Sequence, residues 1–470
     1  MANRLTRKVG LYFIGNLSTR ILGAAIIPVY AFAVSPSELG RYDYILTIGQ
    51  LAAPLAFVAI WESALRFLII EPTSDSVKSS MSTIVIFSIS ISLSFTVLAL
   101  TVGWALSINT ANLIGLVMIA LLYGLVQVWQ YFARAEQETR LYVVSGIASA
   151  IVTFALVIGL VVAMRLGFAG LLIAYVAGQF ITVAIIEFRM RVIGRTSFQH
   201  FDRRLLIAML RYSGPLVVNL LAVGLLGGFG RILIYNTMGD AANGVYSFAM
   251  KFATIVVSLG TVISMSVIEE GLLRSSSSKV GEFYSRVLNS LISALILFIT
   301  ALVPVLYLFF RMIQGTEYSS ARDLVPILLL FAVFSVLGTQ FGSIFMTVGK
   351  TGALGTSTFI GAVATVVASI LLIRPIGLSG VAAALLIGSM VMMVLRFKLS
   401  RRQLEYSVSG VRAFGLSAAY LIASFSCFLA AQFAAPWVTA AMTVVIPCAC
   451  AWPFINSLRA IKEIPDEIEV

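Results

Sequence analysis

The chain is poor in the side chains that most enzyme chemistry uses. Its 470 residues include one histidine, three cysteines and 11% charged residues, where soluble proteins carry about 25%. Cys427, Cys448 and Cys450 lie in apolar stretches without a Cys/His ligand set, which argues against a disulfide framework and against a zinc site. His200 sits in a polar, arginine-rich stretch and reads as a solvated surface residue. Glycine loops that cradle phosphate are absent, which argues against nucleotide hydrolysis. The longest polar stretch, 189–211, contains a single acid, Asp202. No metal, cofactor or catalytic residue is expected from this composition.

What the chain has in abundance is apolar surface, at 60% of all residues with 36 glycines besides. That composition predicts an all-α polytopic membrane protein. A span needs about 20 predominantly apolar residues, and the sequence divides end to end into fourteen of them. A first series covers 9–33, 42–65, 81–106, 111–132, 141–164 and 167–188. A second covers 212–238, 241–268, 287–310, 323–348, 352–373 and 377–395. Two more follow at 413–434 and 436–458. The first stretch is too long for a signal-peptide core and contains Asn16 and Arg20, so it reads as a retained helix. The five tryptophans fall near span ends, as expected of interfacial rings.

The formal charge of +12 would point to nucleic acid in a soluble protein. Here it sorts by side. Of the 32 Lys and Arg, 24 fall in alternate segments that include both termini, 5 fall in the opposite loops and 3 lie within spans. Positive charge is retained on the cytoplasmic side, so both termini are expected there, in a cytoplasmic membrane, with the basic rim facing anionic lipid. No nucleic-acid partner is expected.

An internal repeat runs through the spans. Leu39-Gly40-Arg41-Tyr42 matches Asn243-Gly244-Val245-Tyr246 at an offset of 204, and Gly167-x-x-Gly170 matches Gly377-x-x-Gly380 at 210. Gln127 and Phe132 match Gln340 and Phe345 at 213. This predicts two pseudo-symmetric six-helix lobes, 1–188 and 212–398, joined by a basic linker, 189–211, with two accessory helices and a tail in 399–470. Parallel repeats of this kind place a transported substrate between the halves.

Polar stripes supply candidate cavity residues. Asp43, Thr47, Gln50 and Pro54 share one helical face, and the 204 offset carries that face to Ser247, Lys251, Thr254 and Ser258. Tyr12, Asn16 and Arg20 form another stripe, and Tyr123, Gln127 and Arg134 a third. Of the three basic residues within spans, Arg20 lies near mid-depth, while Arg231 and Lys251 lie nearer the outer ends. An ionised side chain there must meet water, a counter-ion or substrate. Asp43 and Asp240 lie near the outer surface and Glu62 and Glu187 near the inner one, so the acids are expected to leave the middle positive. A cationic cavity for an anionic, phosphate-bearing or acidic substrate follows, since guanidinium groups match both anions.

The segment Tyr12-Phe13-Ile14-Gly15-Asn16, Pro28, the turn Ser37-Glu38-Leu39-Gly40-Arg41-Tyr42, the two Gly-x-x-Gly turns and the fourteen-span layout resemble the polysaccharide-export branch of the multidrug/oligosaccharidyl-lipid/polysaccharide flippase superfamily. The resemblance implies a flippase of the bacterial inner membrane. It would carry undecaprenyl-pyrophosphate-linked oligosaccharide outward by alternating access, often with ion coupling as an antiporter, for O-antigen, lipopolysaccharide, capsule or exopolysaccharide. Membrane lipids, a polysaccharide polymerase and a chain-length regulator would be its partners. On that basis Arg20, Arg231 and Lys251 are expected to meet the anionic groups, while Tyr12, Asn16, Thr47, Gln50, Gln127 and Thr254 meet sugar hydroxyls. Asp43, the acid on the cavity stripe, is the candidate for ion coupling. Two other readings compete: a membrane glycan polymerase or glycosyltransferase, which needs an acid-bearing loop, and a cation-coupled multidrug exporter, which favours acids rather than bases at mid-membrane.

Overall fold

The computed structural model describes residues 18–19, 21–69, 74–274, 279–350, 352–433 and 436–462, and among them helices form and strands do not. Twelve of these helices are long and apolar enough to cross a membrane, or thirteen with one bent pair counted as a single span. The expected all-α polytopic architecture is therefore observed. Packing divides the chain into two units, Met1–Gly244 and Val245–Val470.

The first unit begins with α1 (Ile21–Ala33), followed by α2 (Pro36–Ala56), α3 (Trp61–Ile69), α4 (Ser74–Ala105), α5 (Thr110–Ala135), α6 (Thr139–Leu156), α7 (Gly167–Met190) and α8 (Arg203–Met238). Residues 9–17 and 20 of the expected first span lie outside the described residues. Two expected spans are irregular. The second is broken by 46° between α2 and α3. Pro54 lacks the N–H that would continue the hydrogen-bond ladder, and Val58 and Ala59 follow at φ +49° and +46°, a conformation costly for a β-branched residue. The fifth loosens into a π-helical turn, Val157–Ala163, after α6.

The core of this unit gathers Phe57, Trp61, Val128, Trp129, Phe132 and Met209 from α3, α5 and α8 and the turn between α2 and α3. This corrects the expectation that all five tryptophans are interfacial rings. Trp104, Trp437 and Trp452 are exposed, but Trp61 and Trp129 are buried. The Trp129 indole N–H donates to Glu187 Oε2 at 2.9 Å, so its polar edge is satisfied by an acid on α7 rather than by headgroups. Glu187 also accepts from the Ile193 amide at 3.0 Å. With the Arg195–Glu136 ion pair at 2.8 Å and Ser79 donating to His200 O, these bonds dock the 189–211 segment onto the helix ends.

The helix α9 (Asp240–Leu273) starts in the first unit and continues into the second, which adds α10 (Val280–Met312), α11 (Val325–Thr347), α12 (Gly352–Ile376), α13 (Leu378–Ser400), α14 (Gly410–Phe433) and α15 (Pro436–Lys462). Helices α12 and α13 pair closely, α13 also packs on α11, and α14 and α15 pack against α10.

The repeat reappears as contacts inside each unit. A Cβ on Gly178 of α7 would fall 2.0 Å from Thr153 Oγ1 of α6, and one on Gly388 of α13 would fall 1.8 Å from Thr365 Oγ1 of α12. The α6–α7 and α12–α13 hairpins are thus closed by the same Gly–Thr approach. Each hairpin turns at a glycine of positive φ, Gly167 at +48° and Gly377 at +64°.

Candidate functional site

The start of α2 is fixed locally. Ser35 is its N-cap and forms a reciprocal capping box with Glu38, and Pro36 opens the first turn. From there, positions 36, 40, 43, 47 and 51 recur at helical spacing along one face. That face runs antiparallel against α8 and the first turn of α9.

The two chains meet most closely where side chains are missing. A Cβ on Gly40 would fall 1.8 Å from Asp240 O, and one on Gly244 would fall 1.8 Å from Pro36 O. Gly40 and Gly244 are the pair related by the 204 offset, and so are Pro36 and Asp240, so the crossing is locally symmetric. It is locked by Asn243, whose side-chain amide donates to Gly40 O at 2.7 Å, and by Ser37 donating to Asp240 Oδ2 at 2.7 Å. Further along, a Cβ on Gly228 would meet Thr47 Cγ2 at 2.7 Å and one on Gly224 would meet Leu51 Cδ2 at 2.5 Å. Tyr44 and Tyr235 stack with centroids 3.8 Å apart.

Within this seam lies a charge pair. Arg231 Nε is 2.9 Å from Asp43 Oδ2, with side chains 21% and 8% exposed. The Nε–H finds no aligned acceptor, so the attraction is ionic rather than that of a directed hydrogen bond. One helical turn on, the Thr47 hydroxyl donates to Asp43 O at 2.7 Å. Farther along the same helix, Gln50 lies close to Tyr175 of α7. Two carboxamides outside the seam, Asn109 and Asn112, hold Arg41, whose guanidinium also lies 4.3 Å from the Phe168 ring centroid.

The predicted site residues therefore part company. Asp43, Thr47, Gln50 and Arg231 come together in the first unit, and Gln127 is half-buried on α5 of that unit. Lys251 and Thr254 belong to the second unit, where Lys251 is half-buried and Thr254, exposed, donates to Met250 O at 2.9 Å. Tyr12, Asn16 and Arg20 lie outside the described residues. The expectation that acids leave the basic set uncancelled fails at Arg231. The antiparallel run of α2 and α8 sets position 43 beside 231, and a carboxylate neutralises that guanidinium.

One buried charge was not anticipated. Arg396 on α13 is 7% exposed. It donates to Ser357 Oγ at 2.9 Å, Gly338 O at 3.0 Å and Thr358 Oγ1 at 2.8 Å. Neutral acceptors on α11 and α12 thus hold a cation inside the second unit. The apolar run continuing through Phe397 was the available signal that Arg396 is still helical.

With this geometry in view, comparison with known proteins is informative. Residues 5–268, more than half of the chain, match the family model described as "Polysaccharide biosynthesis protein". No curated protein sequence matches. Among solved structures, the lipid II flippase MurJ in an inward closed conformation aligns with a TM-score of 0.72 at 14% identity, covering 95% of this chain and 99% of that one. A multidrug-resistance MATE transporter of the MOP superfamily, inward-facing, aligns at 0.61 and 15% identity over 86% and 99%. An outward-facing structure of a MATE family transporter gives 0.55 at 15% identity over 87% and 96%. At these identities the likeness is one of fold.

Proposed function

Because the chain belongs to the polysaccharide biosynthesis protein family, we propose that it is a flippase moving a polyprenyl-pyrophosphate-linked oligosaccharide across the bacterial cytoplasmic membrane by alternating access. Both termini are cytoplasmic in this reading, and the glycan is delivered to the outer face, where a polymerase and a chain-length regulator take it up. No bond of the substrate is made or broken. The observation that carries the proposal is the Asp43–Arg231 pair, a largely buried ion pair in a glycine-rich helix seam of a fold shared with flippases and exporters.

The pair supplies a switch. An ionised side chain in a span is costly unless paired, so Arg231 stays against Asp43 while the seam is closed. An anionic substrate group competes with the carboxylate for the guanidinium. A proton or cation that neutralises Asp43 releases Arg231 to it, which is the ion-coupling role of Asp43. Arg20 and Lys251 add positive charge for pyrophosphate or acidic sugar, while Tyr12, Asn16, Thr47, Gln50, Gln127 and Thr254 serve the sugar hydroxyls. Opening the outer end then requires Gly40 to part from Asp240 and Gly244 from Pro36.

The test is translocation of a fluorescent polyprenyl-pyrophosphate oligosaccharide in proteoliposomes. The native protein should expose the label to an external quencher, and Asp43→Asn should lose dependence on an imposed ion gradient. Absence of transport by the native protein under every gradient, or gradient dependence unchanged in Asp43→Asn, would overturn the flippase reading or the coupling role respectively.

A further inference from the structure

The segment that joins α7 to α8 is fastened to α4 through its own backbone. The Ser197 amide donates to Ser82 Oγ at 3.2 Å, the Asp202 amide donates to Thr83 Oγ1 at 3.2 Å, and Ser79 Oγ donates to His200 O at 2.9 Å. The membrane-crossing run of α4 begins at Val77, so all three anchors lie within about 9 Å of its start at 1.5 Å per residue. Residues 197–202 are thereby held beside the first turns of a span, at the depth of lipid headgroups.

At that depth the segment is apolar and cationic at once. Phe198, in the short 3-10 turn Phe198–His200, is 84% exposed, and Ile193 and Phe201 are exposed as well. Arg195 is taken up by its pair with Glu136. Arg189, Arg191, Arg203 and Arg204 are exposed, and none of them meets an acid among the described residues. The neighbouring acids are held by other groups: Glu187 by the Trp129 indole and the Ile193 amide, and Asp202 by the Arg204 and Leu205 amides. Four cations against two acids leave this surface positive. Arg191 also takes the left-handed C-cap of α7, at φ +51°, a place that glycine usually fills at lower cost.

We propose that this segment is a binding surface for anionic phospholipid, with Phe198 among the upper acyl carbons and the arginines on headgroup phosphate. A basic rim alone records topology. A lipid site also needs apolar contact and a fixed backbone, and residues 197–202 have both. Guanidinium groups match phosphate in paired hydrogen bonds, and interfacial affinity adds buried apolar area to that attraction. Nucleic acid or an acidic soluble protein would engage the arginines and leave Phe198 in water. The surface uses no residue of the α2–α8 seam, and it does not rest on the flippase reading.

The test is native mass spectrometry of the purified full-length protein in detergent, titrated with phosphatidylglycerol, phosphatidylcholine or a short single-stranded oligonucleotide. Phosphatidylglycerol should be retained at least about tenfold more tightly than phosphatidylcholine. Arg203→Gln/Arg204→Gln should remove most of that preference and leave phosphatidylcholine unchanged. Phe198→Ser should weaken both lipids severalfold; it removes no charge from an exposed position and serves if the glutamine variant does not fold. Equal retention of the two lipids, a preference unchanged in Arg203→Gln/Arg204→Gln, lipid binding unchanged in Phe198→Ser, or tighter binding of the oligonucleotide would overturn the proposal. Translocation need not occur for these masses to be read. Its failure in the native protein would count against the flippase reading and leave the lipid surface standing.

Discussion

Arg231 on α8 and Asp43 on α2 face each other at 2.9 Å, inside a seam that also holds the close glycine approaches, the Asn243–Gly40 and Ser37–Asp240 hydrogen bonds and the Tyr44–Tyr235 stack. The pair sets two formal charges within membrane-spanning helices. Its cost is accepted where an apolar residue would pack more simply, which is the argument for a working role.

Removing one partner should be worse than removing both. Arg231→Ala takes the guanidinium from a carboxylate with 8% of its side chain exposed, and breaking a buried pair costs up to about 3–5 kcal/mol. The partial exposure of Arg231 puts the expected loss toward the lower end. Asp43→Asn/Arg231→Met should recover much of it. Thermal unfolding in detergent of the native, single and double variants gives the coupling; equal losses in all three would remove the pair from the account.

Gly40→Ala should force the ends of α2 and α9 apart. The new Cβ would meet a backbone carbonyl that has no rotamer to change, so about 1–3 kcal/mol of destabilisation is expected from overpacking. Gly227→Ala, on α8 with nothing within 4 Å of the added atom, should be close to neutral. A matched pair of melting temperatures checks the contrast.

Arg396→Ala should loosen the second unit. It removes donors from Gly338 O, Ser357 and Thr358 at once and opens a cavity where α11, α12 and α13 meet. Arg396→Lys keeps the charge but has no planar fork, so partial retention is expected. Unfolding midpoints should rank native above lysine above alanine.

Glu187→Ala should free the 189–211 segment. The acid holds both the Trp129 indole and the Ile193 amide, and its loss leaves both donors without that partner. Trypsin cleavage after Arg191 and Arg195 should accelerate severalfold, while cleavage elsewhere in the chain stays unchanged.

Much of the fold was legible because a bilayer leaves few choices: backbone groups without water must pair within a helix, so apolar runs of span length become helices. The 204 and 210 offsets were legible for a related reason. The first marks Gly40 and Gly244, where helices touch too closely for any side chain, and the second marks Gly167 and Gly377, which turn the two hairpins at positive φ. The bend after Pro54 was partly written in the proline, but its 46° depended on Phe57 finding Gly124 across the packing.

The candidate site was legible only as a set of residue types. The sequence by itself determined the membrane class, the spans, the repeat and the stripe of polar positions on α2, because periodicity and charge bias are local. It did not determine that Asp43 neutralises Arg231, that Trp129 turns inward to Glu187, that Arg396 is held by neutral oxygens, or that Ser197 and Asp202 are fastened to α4. Those relations join positions far apart in the chain. Whether a charge is free, paired or shared depends on which helix lies against it, and tertiary packing alone decides that.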